Sequence, residues 1–156
     1  MSLGQQSLKI AQDLKSPPLT ISPQFTLGDI YGDLGDYKKS REFYQQALTT
    51  AQQLKNRNSE GIALFAQAMA EAQAFLTFAR KTQNSLWEKD ALNLLGDLHK
   101  KFGRKEQAVV AYQQALAITT NSQVTGADAG IYAGLADIYQ ASNQPNSAIA
   151  YYSNPK

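Results

Sequence analysis

Side chains able to do acid–base or metal chemistry are few in this chain. The 156 residues include one histidine, His99, and no cysteine. Two carboxylate pairs, Asp33 with Asp36 and Glu88 with Asp90, lie close together in sequence. One histidine without cysteine does not build a usual zinc site, and carboxylates near turns and helix starts are typical of capping and solvation. The residue types therefore predict no catalytic site, no metal site and no cofactor.

The stretch GDIYGDLGD, residues 28–36, is the nearest approach to a phosphate-binding loop. It has glycines but lacks the lysine and the serine or threonine that end such a loop, so we interpret the glycines as packing and turn residues. His99 occupies the position that Tyr31 and Tyr139 hold in similar segments, and we expect it to pack rather than to bind a ligand. The chain is predicted not to be an enzyme.

Composition limits the partners and the compartment. The chain carries 15 basic and 13 acidic residues and a formal net charge of +2, which is too small to predict binding to nucleic acid or to a membrane. No uninterrupted apolar run of membrane-spanning length and no signal peptide is recognised. The absence of cysteine favours an intracellular, cytoplasmic protein. The first three residues are interpreted as a cloning remnant outside the fold.

The elements that would position these side chains repeat along the chain. The segment QQALTTAQQLK begins at Gln45, which is 40 residues after its close copy QQSLKIAQDLK at Gln5. A third copy, QQALAITT, begins at Gln113. A period of this size predicts an array of structural repeats.

A second marker repeats with the same period. LGDIYGDLGDY returns as LGDLHKKFGRK and as LADIYQASNQP, and the spacing from Gly96 to Ala136 is again 40 residues. The spacing from Gly28 to Gly96 is 68, which is 12 short of two periods. The missing residues are assigned to the middle segment, between SEGIALFAQAMAEAQ and QAFLTFARK.

Each full unit has the pattern of a helical hairpin. Apolar residues recur with helical spacing in both halves, at Leu95, Leu98, His99 and Phe102 and then at Ala108, Tyr112, Ala115 and Leu116. Gly35, Gly103 and Asn143 suit the left-handed turn between the halves. Small residues at Gly28, Gly96 and Ala136 allow close approach of the two helices, with Tyr44, Tyr112 and Tyr152 filling the space beside them. One hairpin cannot bury both stripes, so neighbours must stack.

These residues resemble the tetratricopeptide repeat family. The Leu-Gly…Tyr first-helix motif appears at Leu27, Leu95 and Leu135, and the Ala…Tyr…Ala second-helix motif at Ser40, Ala108 and Ala148. The period resembles the long repeats of kinesin light chains and of large bacterial signalling proteins. The resemblance implies an all-α fold, a right-handed superhelix or solenoid of antiparallel helical hairpins. Pro155 stands where an alanine is expected, so the last helix is predicted to be short.

The predicted organisation is a single array over residues 1–156. It comprises a closing half-repeat helix at 4–15, a repeat at 21–55, a shortened repeat at 58–84, a repeat at 86–120 and a truncated repeat at 127–153. Residues 62–81 contain no Gly, Pro, Asn, Asp or Ser, which favours one continuous helix. The alternative is a 34-residue register with a helix break near 69–73. The half-repeat ends suggest a fragment of a longer array.

The resemblance also implies a site. In the family, the residue after the small first-helix position faces a concave groove for extended peptides, and here this residue is Asp29, Asp97 or Asp137. The resemblance also implies that Phe25, Asn93, Lys100 and Tyr132 line this groove. Three like charges in a row would favour a basic or amide-rich ligand over an acidic tail. The alternative for the aspartates is capping or solvation, and the tyrosines and Trp87 are expected in the core.

The resemblance predicts a protein-binding scaffold, part of a larger multidomain protein, that holds a peptide or protein segment on its concave face. Two alternatives stay open. The array is a spacer that forms homo-oligomers through its exposed half-repeat ends, or it is the regulatory region of an enzyme whose catalytic domain lies outside this chain.

Overall fold

The computed structural model describes residues 2–122 and 128–153, with the side chains at 119–122 and 152 left out. Within these ranges the chain is helical and contains no strand. The described helices, in chain order, are α1 Leu3–Asp13, α2 Pro17–Asp33, α3 Tyr37–Gln53, α4 Arg57–Lys81, α5 Ser85–Lys101, α6 Lys105–Ser122, α7 Ala129–Ala141 and α8 Pro145–Tyr152. The predicted all-α fold is confirmed.

The chain forms two compact units, Met1–Ala74 and Phe75–Lys156, which divide within α4. In the first unit α2 packs on α1 and on α3. In the second, α5 packs on α6, α7 on α8, and α7 also contacts α5 and α6. Because three-residue turns join α2 to α3, α5 to α6 and α7 to α8, each pair is an antiparallel hairpin, as predicted.

The core of each unit is built from the repeated positions. Leu27 and Tyr44 are buried in the first unit, and Leu95, Tyr112 and Leu135 are buried in the second. These are the leucine of the first-helix motif and the tyrosine of the second-helix motif. Leu95, Ala108, Tyr112 and Ala115 of the predicted stripes are therefore buried, whereas Phe102, which was predicted in the same stripe as Leu95, is 46% exposed.

The three-residue turns of the described chain share one backbone conformation. The middle residue has positive φ in each: Lys15, Gly35, Lys55, Gln83, Gly103 and Asn143. At Gly35 the two hydrogen bonds of a Schellman cap follow, from Gly35 N to Gly32 O and from Asp36 N to Tyr31 O, each 2.9 Å. The turns at glycine and asparagine were predicted. Those at lysine and glutamine were not, because these residues carry no left-handed preference.

α4 is a single helix of 25 residues that passes through 69–73 without a break. By length and composition it could span a membrane, since an 18-residue window has a mean hydropathy of 1.3. Of that window 33% is buried, and one such helix is weak evidence because the core helix of a soluble protein passes the same test. The apolar run was underestimated from the sequence.

Several boundaries differ from those predicted. α1 begins at Leu3 and Ser2 caps it through a reciprocal capping box with Gln5, so the first three residues do not all lie outside the fold. α2 begins at Pro17, earlier than residue 21, because proline is tolerated in the first turn of a helix. α8 ends at Tyr152 after eight residues. Residue 127 and Pro155 lie outside the described residues.

Candidate functional site

Two of the predicted site aspartates accept a hydrogen bond from the second-helix tyrosine of their own hairpin. The Tyr44 hydroxyl donates to Asp29 Oδ1 at 2.7 Å, and the Tyr112 hydroxyl donates to Asp97 Oδ1 at 2.6 Å. Both aspartates are exposed, whereas both tyrosines are buried. The contact fixes one oxygen of each carboxylate and leaves the other for solvent or a ligand.

Glycine positions the tyrosine ring in each hairpin. A Cβ on Gly28 would lie 2.4 Å from Tyr44 Cε1, and one on Gly96 would lie 2.5 Å from Tyr112 Cδ1. In the second unit Gly134 of α7 also packs on this ring, because a Cβ added to Gly134 would lie 2.6 Å from Tyr112 Cζ. The expected close approach is therefore present, and Gly134 adds a contact that the repeat pattern did not indicate.

The tyrosine hydroxyls are held in their protonated form. Burial, followed by the hydrogen bond to Asp29, raises the pKa of Tyr44 far above its usual range. Burial and then the bond to Asp97 raise the pKa of Tyr112 in the same way, with a further contribution from the charge of Asp137. Both phenols therefore remain donors throughout the physiological pH range.

Asp137 is arranged differently from the other two aspartates. Its Oδ2 lies 3.1 Å from Lys100 Nζ, so an ion pair connects α7 to α5. The matching second-helix residue, Tyr152, has no described side chain. The three aspartates are thus not equivalent, and they divide between the units, with Asp29 in the first and Asp97 and Asp137 in the second.

The remaining predicted site residues also divide between the units. Phe25 is half-buried in the first unit, with its ring centroid 6.4 Å from that of Tyr44. Asn93 and Tyr132 belong to the second unit. Asn93 Oδ1 is buried and has no hydrogen-bond partner among the residues described. Tyr132 packs at 6.4 Å against Tyr151. The second unit therefore contains five of the seven predicted residues.

The expectation that Trp87 lies in the core is wrong. Trp87 is 41% exposed and stacks on Phe78 of α4, with centroids 5.9 Å apart. Leu86 and Leu94 of α5 are also exposed. Periodicity counts such residues as core, but whether an apolar side chain is buried depends on a neighbour that covers it. This exposed apolar surface was missed.

A buried ion pair was also missed. Lys89 of α5 and Asp128, which precedes α7, are 4% and 5% exposed, and Lys89 Nζ lies 3.2 Å from Asp128 Oδ1. The two residues are 39 positions apart, so the sequence gives no local sign of the contact. The pair ties the start of α7 to α5, and removing Asp128 would take this partner from the buried Lys89 charge.

Two of the carboxylates considered for chemistry, Asp36 and Glu88, take part in helix capping and ion pairing. Asp36 caps α3, and hydrogen bonds from Lys39 lower its pKa. Glu88 pairs with Arg80 at 2.8 Å. His99 is half-buried; burial, followed by the nearby Arg104 charge, lowers its pKa. In the part of the chain that the structure describes, no group of three or more His, Cys, Asp or Glu residues could hold a metal ion.

Comparison with known proteins supports the repeat assignment. A family model described as tetratricopeptide repeat matches residues 22–54, 89–121 and 129–153, which is more than half of the chain. The first two matches contain the Tyr–Asp pairs, and the third contains α7 and α8. No curated protein matches the chain significantly.

Proposed function

The chain belongs to the tetratricopeptide repeat family, whose repeats generally mediate protein–protein interaction, and we propose that its second unit binds a protein segment across α5 and α7. The residues of this binding site are Asn93, Asp97 and Lys100 on α5 and Tyr132 and Asp137 on α7. The chemistry is recognition without catalysis.

The proposal rests on the fixed position and the exposure of the Asp97 carboxylate. Its Oδ1 is held by the Tyr112 hydroxyl at 2.6 Å, the residue is exposed, and it makes no ion pair with any described residue. A carboxylate that is fixed in position and still accessible loses little side-chain entropy when it meets a cationic or amide donor. Asp97 is therefore suited to select a basic or amide-rich segment.

The surroundings of Asp97 support the same interpretation. Asn93 lies one helical turn before Asp97, but its amide oxygen is buried and does not face an incoming segment. Lys100 and Asp137 neutralise each other at 3.1 Å on the other side. An incoming segment thus meets the Asp97 carboxylate beside a neutralised Lys100–Asp137 pair.

A peptide library displayed on phage and selected against the full chain tests this proposal. Wild-type protein is expected to enrich lysine, arginine, asparagine or glutamine, whereas Asp97→Asn is expected to lose that preference. Asp13→Asn is the matched control, because Asp13 is an exposed helical aspartate of α1 with no ion pair among the described residues. The same enrichment with Asp97→Asn as with wild type would contradict the proposal.

Self-association is a second candidate function, supported by the outer face of α1. Leu3, Ile10 and Leu14 lie on one stripe of that helix and are 82%, 60% and 64% exposed. Exposed large apolar residues on one side of a helix are typical of a contact surface. Light scattering over a concentration series should show a dimer that Ile10→Glu disrupts. A concentration-independent monomer would exclude this candidate.

The cytoplasmic location, the long-repeat variant and the link to a catalytic domain stay predictions from the sequence. The full gene context tests the last of these directly.

A further inference from the structure

One side of α5 is exposed along its whole length. With a helical rotation of 100° per residue, Leu86, Asp97, Asp90, Lys101, Leu94 and Trp87 follow one another within an arc of about 100°. We call these six residues the α5 face, and all six are exposed. The buried positions of α5, among them Ala91, Leu92 and Leu95, lie outside this arc.

The α5 face has an aromatic edge. Trp87 stacks on Phe78, which is itself 53% exposed, and the ring centroid of Phe75 lies 6.4 Å from that of Trp87. Leu94 follows Trp87 by two helical turns and is 44% exposed. Exposed large apolar side chains that adjoin one another, rather than lying scattered, are typical of a protein-binding surface.

Two carboxylates line this apolar edge. Asp90 and Asp97 make no ion pair with any described residue, unlike Glu88, which is bound to Arg80, and Asp137, which is bound to Lys100. Lys101 ends the face one turn after Asp97. The middle of the face is therefore apolar and negative, and it is complementary to a partner that is apolar and positive.

The spacing of the two carboxylates selects the conformation of the partner. Asp90 and Asp97 are seven residues apart, which is about 10.5 Å along the helix axis. Residues on the same side of a β-strand recur at about 6.6 Å and about 13 Å, and those of a polyproline II chain at about 9.3 Å, so none of these spacings equals about 10.5 Å. Residues at i and i+7 of a second helix recur at about 10.5 Å on nearly the same side, with i+3 and i+4 between them.

We infer that the α5 face binds an amphipathic helix of a partner protein that carries Lys or Arg at i and i+7 and large apolar residues at i+3 and i+4. The basic residues meet Asp90 and Asp97, and the apolar residues pack on Leu94, Trp87 and Phe78. This inference rests on the proposed function and adds that the bound segment is a helix. The family resemblance, in contrast, implies an extended peptide.

A second copy of the chain fits this face poorly. Antiparallel pairing of two α5 helices about Leu94 brings Asp90 of one copy close to Asp97 of the other, so like charges meet. An anionic membrane is disfavoured by the same two carboxylates. A basic partner helix is the occupant that the charges favour.

The sole tryptophan of the chain, Trp87, provides the readout. The probe is a synthetic alanine- and glutamine-based helical peptide with lysines seven residues apart and leucines three and four residues after the first lysine. A register control moves the second lysine to nine residues from the first, on the opposite side of the helix. A third peptide carries two prolines that prevent the helix.

The first peptide is expected to change Trp87 fluorescence in the full chain and to bind about tenfold more tightly than the register control. Asp90→Asn and Asp97→Asn should each weaken it by about threefold, and Asp13→Asn should not. Added salt should also weaken binding, because the contacts are exposed.

Equal binding of the two helical peptides, or tighter binding of the proline peptide, would overturn the inference and leave the proposed function in place. Binding by none of the peptides, together with no basic or amide preference in the phage selection, would overturn both. A fluorescence change with anionic vesicles but with no peptide would assign the face to a membrane and would also overturn the inference.

Discussion

The α2–α3 and α5–α6 hairpins share an internal arrangement but differ on their exposed sides. Gly28 and Gly96 accept the rings of Tyr44 and Tyr112 at nearly the same distance, and both hydroxyls bond to an aspartate. On the exposed side, α2 presents Leu19, Ser22, Thr26, Asp29 and Asp33 where α5 presents Trp87, Asp90, Leu94, Asp97 and Lys101.

The difference shows which positions are constrained by packing. The glycine, the leucine and the tyrosine are set by contacts inside the hairpin, so both hairpins keep them. Among the exposed positions, Asp29 and Asp97 accept the hydrogen bond of the second-helix tyrosine, and both hairpins keep them. The other exposed positions differ. On α5, Asp90 and Leu94 replace the small polar residues Ser22 and Thr26 of α2, and Trp87 replaces Leu19. These differences indicate that the exposed side of α5 has a role of its own.

The largest effect is expected from filling the glycine site. Gly96→Ala should lower the free energy of unfolding by about 2 to 3 kcal/mol, because Tyr112 is held between Gly96 and Gly134 and cannot move aside. Gly28→Ala should act similarly in the first hairpin, since its Cβ would also meet the ring. Urea unfolding measures both changes.

Gly130→Ala is the matched control, because nothing lies within 4 Å of its added Cβ. It should leave stability unchanged or raise it by up to about 1 kcal/mol, as alanine is the better helix former. A Gly96→Ala protein as stable as the Gly130→Ala protein would show that the shared packing has been misassigned.

Removing the tyrosine hydroxyls distinguishes their contribution to stability from their contribution to peptide binding. Tyr44→Phe and Tyr112→Phe should each cost about 1.5 kcal/mol of stability, because each removes a hydrogen bond to a carboxylate. Only Tyr112→Phe should weaken the helical probe peptide, by about threefold, because Asp97 loses its fixed position. Calorimetry and Trp87 fluorescence measure the two quantities. Equal weakening by Tyr44→Phe would remove the distinction between the hairpins.

Alkaline pH should act on both hairpins together. The folded-state pKa values of Tyr44 and Tyr112 are raised above the unfolded value of about 10, so the folded protein holds protons that the unfolded chain releases. Their contribution is complete below about pH 10 and is lost as the pH rises above it. Urea unfolding at about pH 8 and about pH 11 should therefore show a smaller loss for the Tyr44→Phe/Tyr112→Phe double variant than for wild type. An equal loss of unfolding free energy in the double variant and in wild type would contradict the assignment of raised pKa values to these tyrosines.

Exchanging one exposed residue should have the smallest effect on stability and still affect binding. Leu94→Thr, which gives α5 the residue of α2, should change stability by less than about 0.5 kcal/mol and weaken the probe peptide by about 1 kcal/mol, or fivefold. Thr26→Leu is the reciprocal control and should leave peptide binding unchanged. A probe that binds Leu94→Thr as well as wild type would exclude Leu94 from the contact.

The repeated motifs allowed the hairpins, the core leucines and tyrosines, and the glycine turns to be predicted, because period and residue size express those contacts directly. The Tyr–Asp hydrogen bonds could not be predicted. Each joins two residues that are 15 positions apart on different helices, and whether they meet depends on how those helices cross. The left-handed backbone conformation at Lys55 and Gln83 is set by the short turn between two helices. Lysine and glutamine do not favour this conformation, so the residue types did not predict it. The exposure of Trp87 depends on which helix lies beside it, and periodicity carries no information about that neighbour.

The most direct test of the α5 face is a titration of ¹⁵N-labelled full chain with the helical probe peptide, followed by backbone amide chemical shifts. The account predicts shifts concentrated at Leu86, Trp87, Asp90, Leu94, Asp97 and Lys101, with the corresponding amides of α2 unmoved. Shifts of equal size on α2, or shifts confined to helices other than α5, would contradict it.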